Sequence, residues 1–272
     1  MILAAGEALV EIMRPRPGLP LDRTAEFQGP FASGAPAIFA SVAARLGAPT
    51  ALAAVVGDDP FGALLRARLA ADGVDVARVR AAPESTGCAF VAYDGAGERT
   101  FVFHMGAAGT ISEADLGDLP ERAGWLHVSG STLSLGDAMG ATIEAAARRV
   151  TAAGGRIGLD PNTRGGPSPR LRTLAEAATV LFPSEGELTI EPRPDQVVVH
   201  TLGARGVRLG GETIPAPAVD EVDPTGAGDT FAAAFTVALL GGAEPVEAAR
   251  AAVAVAAEAV TRLGPMEAPV SR

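Results

Sequence analysis

The run Asp223-Pro224-Thr225-Gly226-Ala227-Gly228-Asp229-Thr230-Phe231, followed at once by an alanine-rich stretch, decides how the rest of the chain is read. Pro224 disfavours helical backbone at Asp223, so the helix that the alanines promise starts after the glycines. Gly226 and Gly228 let backbone N–H groups turn toward a common point. A helix N-terminus leaves such donors unpaired, and its dipole favours negative charge there. Asp229 falls in the first turn of that helix. Two roles are open to it. It can steady the helix start, worth about 0.3–1 kcal/mol. Alternatively, it can accept the proton of an attacking hydroxyl while the glycine amides hold the charge developing on a phosphoryl group. The run by itself does not choose.

Composition narrows the chemistry around it. All 22 basic residues of the 272-residue chain are Arg, against 32 Asp plus Glu, for a net charge of −10. The absence of lysine excludes P-loop NTPases, protein kinases built on a strand lysine, Schiff-base aldolases and pyridoxal enzymes, since each centres on an amine. A surface this acidic repels phosphate backbones and anionic lipid, so neither nucleic acid nor a membrane is an expected partner. Cys88 and three histidines (His104, His127, His200) exclude an internal disulfide and a Cys/His zinc cluster. Residues 1–13 carry Glu7 and Glu11 and no basic leader, and no stretch of about 20 residues is apolar enough to span a bilayer. A soluble, cytoplasmic protein is expected. Apolar residues make up 48% and aromatics 4%, so the chain can bury a core, and that core must be aliphatic.

Outward from the run, strand-like apolar stretches alternate with Ala/Leu-rich helical ones, the pattern of βα units around a largely parallel sheet. Residues 2–5 and 8–12 read as one opening strand. Further strands are expected at 50–56, 124–128, 156–159, 179–182 and 196–201, and helices at 35–46, 61–71, 137–153, 227–240 and 245–262. Two segments break the alternation. Residues 14–31 are rich in Pro and Gly, and 86–104 read as two strands, 87–93 and 99–103, joined by the Asp94-Gly95-Ala96-Gly97 turn. Neither has a helix to cover it. Both are expected to build one small sheet beside the main one, either a lid over a site or a surface hairpin without a role. The chain 1–272 reads as a single α/β domain.

On these residues the sequence resembles the ribokinase-like (PfkB) carbohydrate kinases, whose most specific signature is matched at 223–231. Other blocks follow in the right order: Gly6-Glu7-Ala8-Leu9-Val10-Glu11, Ser33-Gly34-Ala35-Pro36-Ala37, Val56-Gly57-Asp58-Asp59-Pro60-Phe61-Gly62, and Asp160-Pro161-Asn162-Thr163-Arg164. Ser184-Glu185-Gly186-Glu187, Thr201-Leu202-Gly203-Ala204-Arg205-Gly206 and Ala259-Val260-Thr261-Arg262-Leu263-Gly264-Pro265-Met266 complete the set. The resemblance implies a three-layer, Rossmann-like ribokinase fold: a mainly parallel central sheet flanked by helices, with a small β lid formed by about 14–31 and 86–104. It also implies roles. Asp229 would take the proton of a primary hydroxyl as its oxygen attacks the γ-phosphate of ATP in line. The amides of Gly226, Ala227 and Gly228 would form the anion hole, a source of positive potential that needs no lysine. The sugar would meet Glu11, Gly34 and Arg164. ATP would lie along Ser184, Thr201, Gly203, Gly206 and Gly228, with Glu187 acting indirectly on Mg2+. Asp223 and the carbonyl of Thr225 match positions that bind a monovalent cation such as K+ in several members. An exposed lid edge also fits a homodimer.

Departures from the pattern point to the substrate. Ile38 stands where many members carry a sugar-binding Asn, which argues against ribose or a nucleoside. Ser184 replaces the Asn of Asn-x-x-Glu. Residues 188–195 leave no room for the usual helix, and 172–179 look short for a crossover helix. Val102-Phe103-His104 stands where 2-keto-3-deoxygluconate kinases carry an aromatic pair followed by Arg, which leaves Arg164 as the carboxylate partner. The expected substrate is a ketohexose such as tagatose or fructose, or 2-keto-3-deoxygluconate. The runs 29–39 and 264–267, similar to tagatose kinase-type enzymes, tilt the choice to the ketohexose. Two other classes compete: a sugar-binding or regulatory relative with impaired nucleotide binding, and a Rossmann dehydrogenase. The latter wants Gly-x-Gly-x-x-Gly after the first strand, where residues 4–12 offer only Gly6. His104 is expected as lid structure, His127 and His200 as satisfied core residues, and Cys88 as a small packed side chain.

Overall fold

Ile2 and Ala4 face one way and Leu3 and Ala5 the other, and all four are buried, in two different core clusters. A strand buried on both faces belongs inside a sheet with helices on each side, and this is the arrangement in the computed structural model. The structure describes residues 1–95, 99–163, 168–188 and 190–270. In chain order come β1 (Ile2–Ala5), β2 (Leu9–Met13), β3 (Gln28–Ser33), α1 (Ala35–Arg45), β4 (Thr50–Gly57), α2 (Pro60–Ala71), β5 (Asp75–Ala82), β6 (Gly87–Tyr93) and β7 (Arg99–His104). Then follow α3 (Glu113–Leu116), α4 (Leu119–Arg122), β8 (Trp125–Ser129), α5 (Gly130–Leu133), α6 (Asp137–Ala152), β9 (Arg156–Asp160), α7 (Pro169–Ala177) and β10 (Val180–Leu181). The last elements are β11 (Val197–Thr201), β12 (Val207–Leu209), β13 (Glu212–Ile214), α8 (Ala227–Leu240) and α9 (Pro245–Ala259).

The main sheet has the order β13-β12-β11-β10-β9-β8-β1-β4-β5. It is parallel from β5 through β11, with an antiparallel β12–β13 hairpin at one edge. Residues of α1, α2, α8 and α9 cover the face of Ile2 and Ala4, and those of α4, α6 and α7 cover the face of Leu3 and Ala5. The three-layer, mainly parallel α/β fold read from the sequence is therefore present. The crossover from β9 to β10 is made by α7, although the segment looked short for a helix. Between β10 and β11 the described residues contain no helix; Leu188 and Ile190 pack against the core there instead.

The opening strand expected across 2–12 is two strands in two sheets. Gly6 divides them: its φ is 142°, and a Cβ there would stand 2.7 Å from the Thr132 side chain and 2.8 Å from Pro36. No L side chain fits that bend. β2 therefore leaves the main sheet and enters a second one, ordered β3-β2-β6-β7. Of the expected 14–31 segment, only its end pairs as β3. Residues 14–27 form an irregular loop gathered on the buried Arg14, which donates to the carbonyls of Pro20, Arg23, Ala25 and Glu26 and stacks 3.9 Å over the Phe27 ring. A guanidinium has enough donors to satisfy such a cluster of carbonyls.

Asp59 fastens the two sheets together. As N-cap of α2 it accepts from the Gly62 amide at 2.8 Å, and it also accepts from the Thr86 amide and hydroxyl at 2.7 Å, just before β6. Burial raises its carboxyl pKa, but these hydrogen bonds outweigh burial and hold it below the ordinary carboxylate range. A depressed folded value means stability present above the unfolded carboxyl value of about 4, and lost as pH falls through the folded value. Asp59→Ala should cost about 1–2 kcal/mol near neutrality. The gap in melting temperature between wild type and variant should then close below about pH 4. A gap that stays constant on acidification would count against the assignment.

Candidate active site

β1 is the topological switch point of the main sheet: the chain passes from it to β4 and β5 on one side, while β8 to β11 run away on the other. Ligands of open α/β sheets bind at such a point, beyond the carboxyl ends of the strands. A cavity of about 240 Å³ lies there. Glu7 enters it just past β1, Ser131 and Ser134 past β8, and Asn162 past β9. The small sheet forms the facing wall, with Leu9 and Glu11 of β2, Ser33 of β3, and Arg99, Phe101 and Phe103 of β7. The period of two along a strand puts all three β7 residues on one face. Gly34, Ala35 and Ile38 of the α1 start, and Thr225, Gly226 and Asp229 of the α8 start, close the remaining side.

Of the expected sugar residues, Glu11 and Gly34 meet in this cavity. Glu11 is buried, and its Oε1 accepts from the Ser33 hydroxyl at 2.9 Å. Gly34 has φ 106°, and a Cβ there would collide with the Glu7 carbonyl oxygen. Arg164 lies outside the described residues. Sequence reasoning missed Glu7, whose Oε2 accepts from the Thr132 hydroxyl at 2.7 Å, and it missed Arg99. For Glu7 a signal existed, an acid inside an otherwise apolar strand run.

The start of α8 is built as the motif suggests. Gly226, in the left-handed region at φ 77°, caps the helix, and Asp229 stands in the first turn facing the same cavity as Glu11. The buried Thr230 and Phe231 anchor that turn, with Phe231 packed edge-on to Phe182 at 6.2 Å. Ahead of it, Asp223 is buried. Its Oδ1 accepts from the Thr225 amide at 3.0 Å and from the Tyr93 hydroxyl at 2.9 Å, and its Oδ2 accepts from the Gly264 amide at 2.9 Å.

The residues expected to border the nucleotide collect at the carboxyl ends of β10 and β11. Ser184 bridges to Thr201, whose Oγ1 donates to the Ser184 Oγ at 3.3 Å, and Gly203 to Gly206 make the turn into β12. Glu187 accepts from the amides of Ser184 at 2.9 Å and Thr163 at 3.2 Å, tying this corner to the loop after β9. At the near end of that loop, Asp160 lies against Gly228: a Cβ on the glycine would be 3.7 Å from Asp160 Oδ2.

Of the three histidines, His127 is the one packed in the core. His127 is buried and stacks on Phe39 with ring centroids 3.7 Å apart, and burial pushes its pKa down to about 3, so it is neutral at physiological pH. Burial also lowers His200, and it raises the Cys88 thiol. His104, at the exposed end of β7, bonds Ser85 at 3.1 Å.

With this geometry in hand, comparison with known proteins is decisive: residues 29–271 match the pfkB family carbohydrate kinase profile. The chain belongs to the PfkB family of carbohydrate kinases. This kinase is 36% identical over 239 residues to a fructokinase of Klebsiella pneumoniae, a match covering 76% of each chain. It is 32% identical to a 2-dehydro-3-deoxygluconokinase of Thermoproteus tenax, covering 98% of this chain and 90% of that one. Among solved structures it overlays a fructokinase from Vibrio cholerae, bound to fructose, ADP and a calcium ion, with TM-score 0.82 and 25% identity, covering 98% and 94% of the two chains. Membership of this family displaces the dehydrogenase alternative. Among the described residues, no helix of the kinase is long and apolar enough to cross a membrane.

Proposed function

We propose that this kinase transfers the γ-phosphoryl group of ATP to a primary hydroxyl of a ketohexose such as fructose or tagatose. The observation that carries the reading is the shared cavity: Asp229, at the amino end of α8, opens onto the same space as Glu11 and Gly34. In this mechanism the sugar lies under the small sheet, which acts as a lid, and Glu11 accepts a sugar hydroxyl while Ser33 fixes its carboxylate. Asp229 takes the proton of the primary hydroxyl as that oxygen attacks the γ-phosphorus. The bond from phosphorus to the bridging oxygen of ADP breaks in line. The amides of Gly226, Ala227 and Gly228 hold the charge on the transferring group, and Gly228, Ser184, Thr201, Gly203 and Gly206 border the nucleotide. Among the described residues, no three of His, Cys, Asp and Glu converge as a metal-ligand set. Mg2+ would arrive with the nucleotide, with Glu187 acting on it indirectly, and when bound it would supply further positive charge at the phosphoryl group. A monovalent cation such as K+ would be held by Asp223 together with the Thr225 carbonyl. The reading includes a homodimer through the outer lid strand β7, where Val102 and Phe103 are exposed.

Charge in the cavity favours a neutral sugar. Glu7 and Glu11 are both buried carboxylates on its wall, and like charge disfavours a sugar acid. Arg99 on the facing wall, together with the Thermoproteus tenax relative, supports 2-keto-3-deoxygluconate as the second reading, with Arg164 as a further partner. An ADP-release assay with Mg2+ against fructose, tagatose, 2-keto-3-deoxygluconate and ribose separates them. The highest kcat/KM on a ketohexose is expected. Turnover confined to the keto acid would establish the second reading, and a preference for ribose would overturn both. Glu11→Gln should raise the sugar KM about tenfold or more, the worth of one hydrogen bond to a charged acceptor, while the ATP KM stays near its wild-type value.

A further inference from the structure

The chain holds a single tyrosine, and neither the sugar nor the nucleotide contacts assigned above involve it. Tyr93 ends β6 and Arg99 opens β7, directly opposite in register. The Tyr93 hydroxyl lies 2.9 Å from Asp223 Oδ1 and 2.8 Å from Thr225 Oγ1, and Arg99 Nη1 lies 3.3 Å from that same Thr225 oxygen. Donor and acceptor chemistry fixes the direction of each bond. A guanidinium only donates, so Thr225 Oγ1 accepts from Arg99. An ionised carboxylate only accepts, so Tyr93 donates to Asp223. The Thr225 hydroxyl proton is then left for the Tyr93 oxygen. One ordered chain results, from Arg99 through Thr225 and Tyr93 to Asp223. It begins on the hairpin of the small sheet and ends in the buried turn that leads into Gly226, Ala227 and Gly228. Burial strengthens such charge-terminated chains.

We propose that Tyr93 is a positioning residue for phosphoryl transfer, holding the 223–226 turn, and hence the amides that follow it, in the orientation the transferring group requires. The proposal rests on the kinase reading of the site. Anion-hole donors act through orientation set before the reaction, so a loosened turn loses transition-state stabilisation before it loses ground-state binding.

Tyr93→Phe keeps the ring and removes only the hydroxyl. It should lower kcat about tenfold while the KM values for sugar and ATP stay within about threefold and the melting temperature changes by no more than a few degrees. Thr225→Val cuts the same chain one link away and should fall similarly, whereas Thr225→Ser, which keeps the hydroxyl, should stay closer to wild type. The double variant Tyr93→Phe/Thr225→Val should be little slower than the slower single one, because both interrupt one chain. Wild-type kcat in Tyr93→Phe, a loss appearing only in KM, or single losses that multiply in the double variant would each overturn the proposal. A second measurement needs no turnover: calorimetric titration should show Tyr93→Phe binding ATP within about threefold of wild type, and ATP binding lost with the hydroxyl would overturn the positioning role. A wild-type protein that binds ATP yet phosphorylates no sugar would instead overturn the kinase reading of the site, and the positioning role with it.

Discussion

Asp229→Asn is expected to lower kcat by about 10²–10⁴ while leaving ATP binding and the fold nearly unchanged. The substitution is nearly isosteric and keeps a polar side chain in the first turn of α8. It removes the one property the mechanism needs, a carboxylate able to accept the hydroxyl proton. The two roles open to Asp229 differ in size, which makes the experiment decisive. An acid that merely complements the helix dipole contributes about 0.3–1 kcal/mol, and it would show in the melting temperature. A base contributes about 3–5 kcal/mol, and it would show in the barrier. Steady-state kinetics beside calorimetric titration with ATP gives both readings on one sample. A variant that binds ATP normally and turns over within about threefold of wild type would return Asp229 to the structural role.

Local features were the legible ones. The 223–231 run carries its own geometry: the proline, the glycines and the acid are adjacent in sequence, and the structure has them in the arrangement that their residue types imply. The long alternating helices and strands were legible for the same reason, since each period is repeated within its own segment. What escaped depends on pairing between distant segments. The apolar pattern runs on through residues 2–13, so nothing local shows that β1 and β2 belong to different sheets. The bend happens at Gly6, against Thr132 and Pro36, which are remote in the chain. β5 was hidden because the outward residues of this edge strand include Arg78 and Arg80, a charged pattern that protects an edge and blurs the apolar signal. Arg99 escaped because the face it shares with Phe101 and Phe103 points into the cavity only through the register of β7 on β6. Tyr93 lies 130 residues from Asp223, and no spacing rule could have joined them.

Gly34→Ala should be the most damaging single-methyl change at the sugar side of the site. Gly34 sits between β3 and α1 at φ 106°, and its missing Cβ would overlap the Glu7 carbonyl oxygen and approach Ala8 Cα to 3.2 Å. Both obstacles are backbone, so neither can swing aside as a side chain could. Strained backbone alone costs about 1–3 kcal/mol, and displacing a packed strand end adds to it. Gly18→Ala is the control. Gly18 also has positive φ, at 82°, yet a Cβ there meets nothing within 4 Å. It should therefore show the conformational cost alone, about 1 kcal/mol. Gly34→Ala should lose at least about 2 kcal/mol more, or roughly 4–8 °C in melting temperature for a chain of this size. The damage should also reach the chemistry in one direction only. Relaxing the overlap pushes the Glu7 backbone away from α1 and shifts the wall on which Glu11, held by Ser33, would meet the sugar. The sugar kcat/KM should then fall at least about tenfold, while the ATP KM, which the corner around Ser184 and Thr201 would set, changes little. Equal melting temperatures for the two variants would mean that the chain gives way freely at this point. The cavity wall would then not be rigid, and Gly34 could not be the residue that lets the small sheet close against β1.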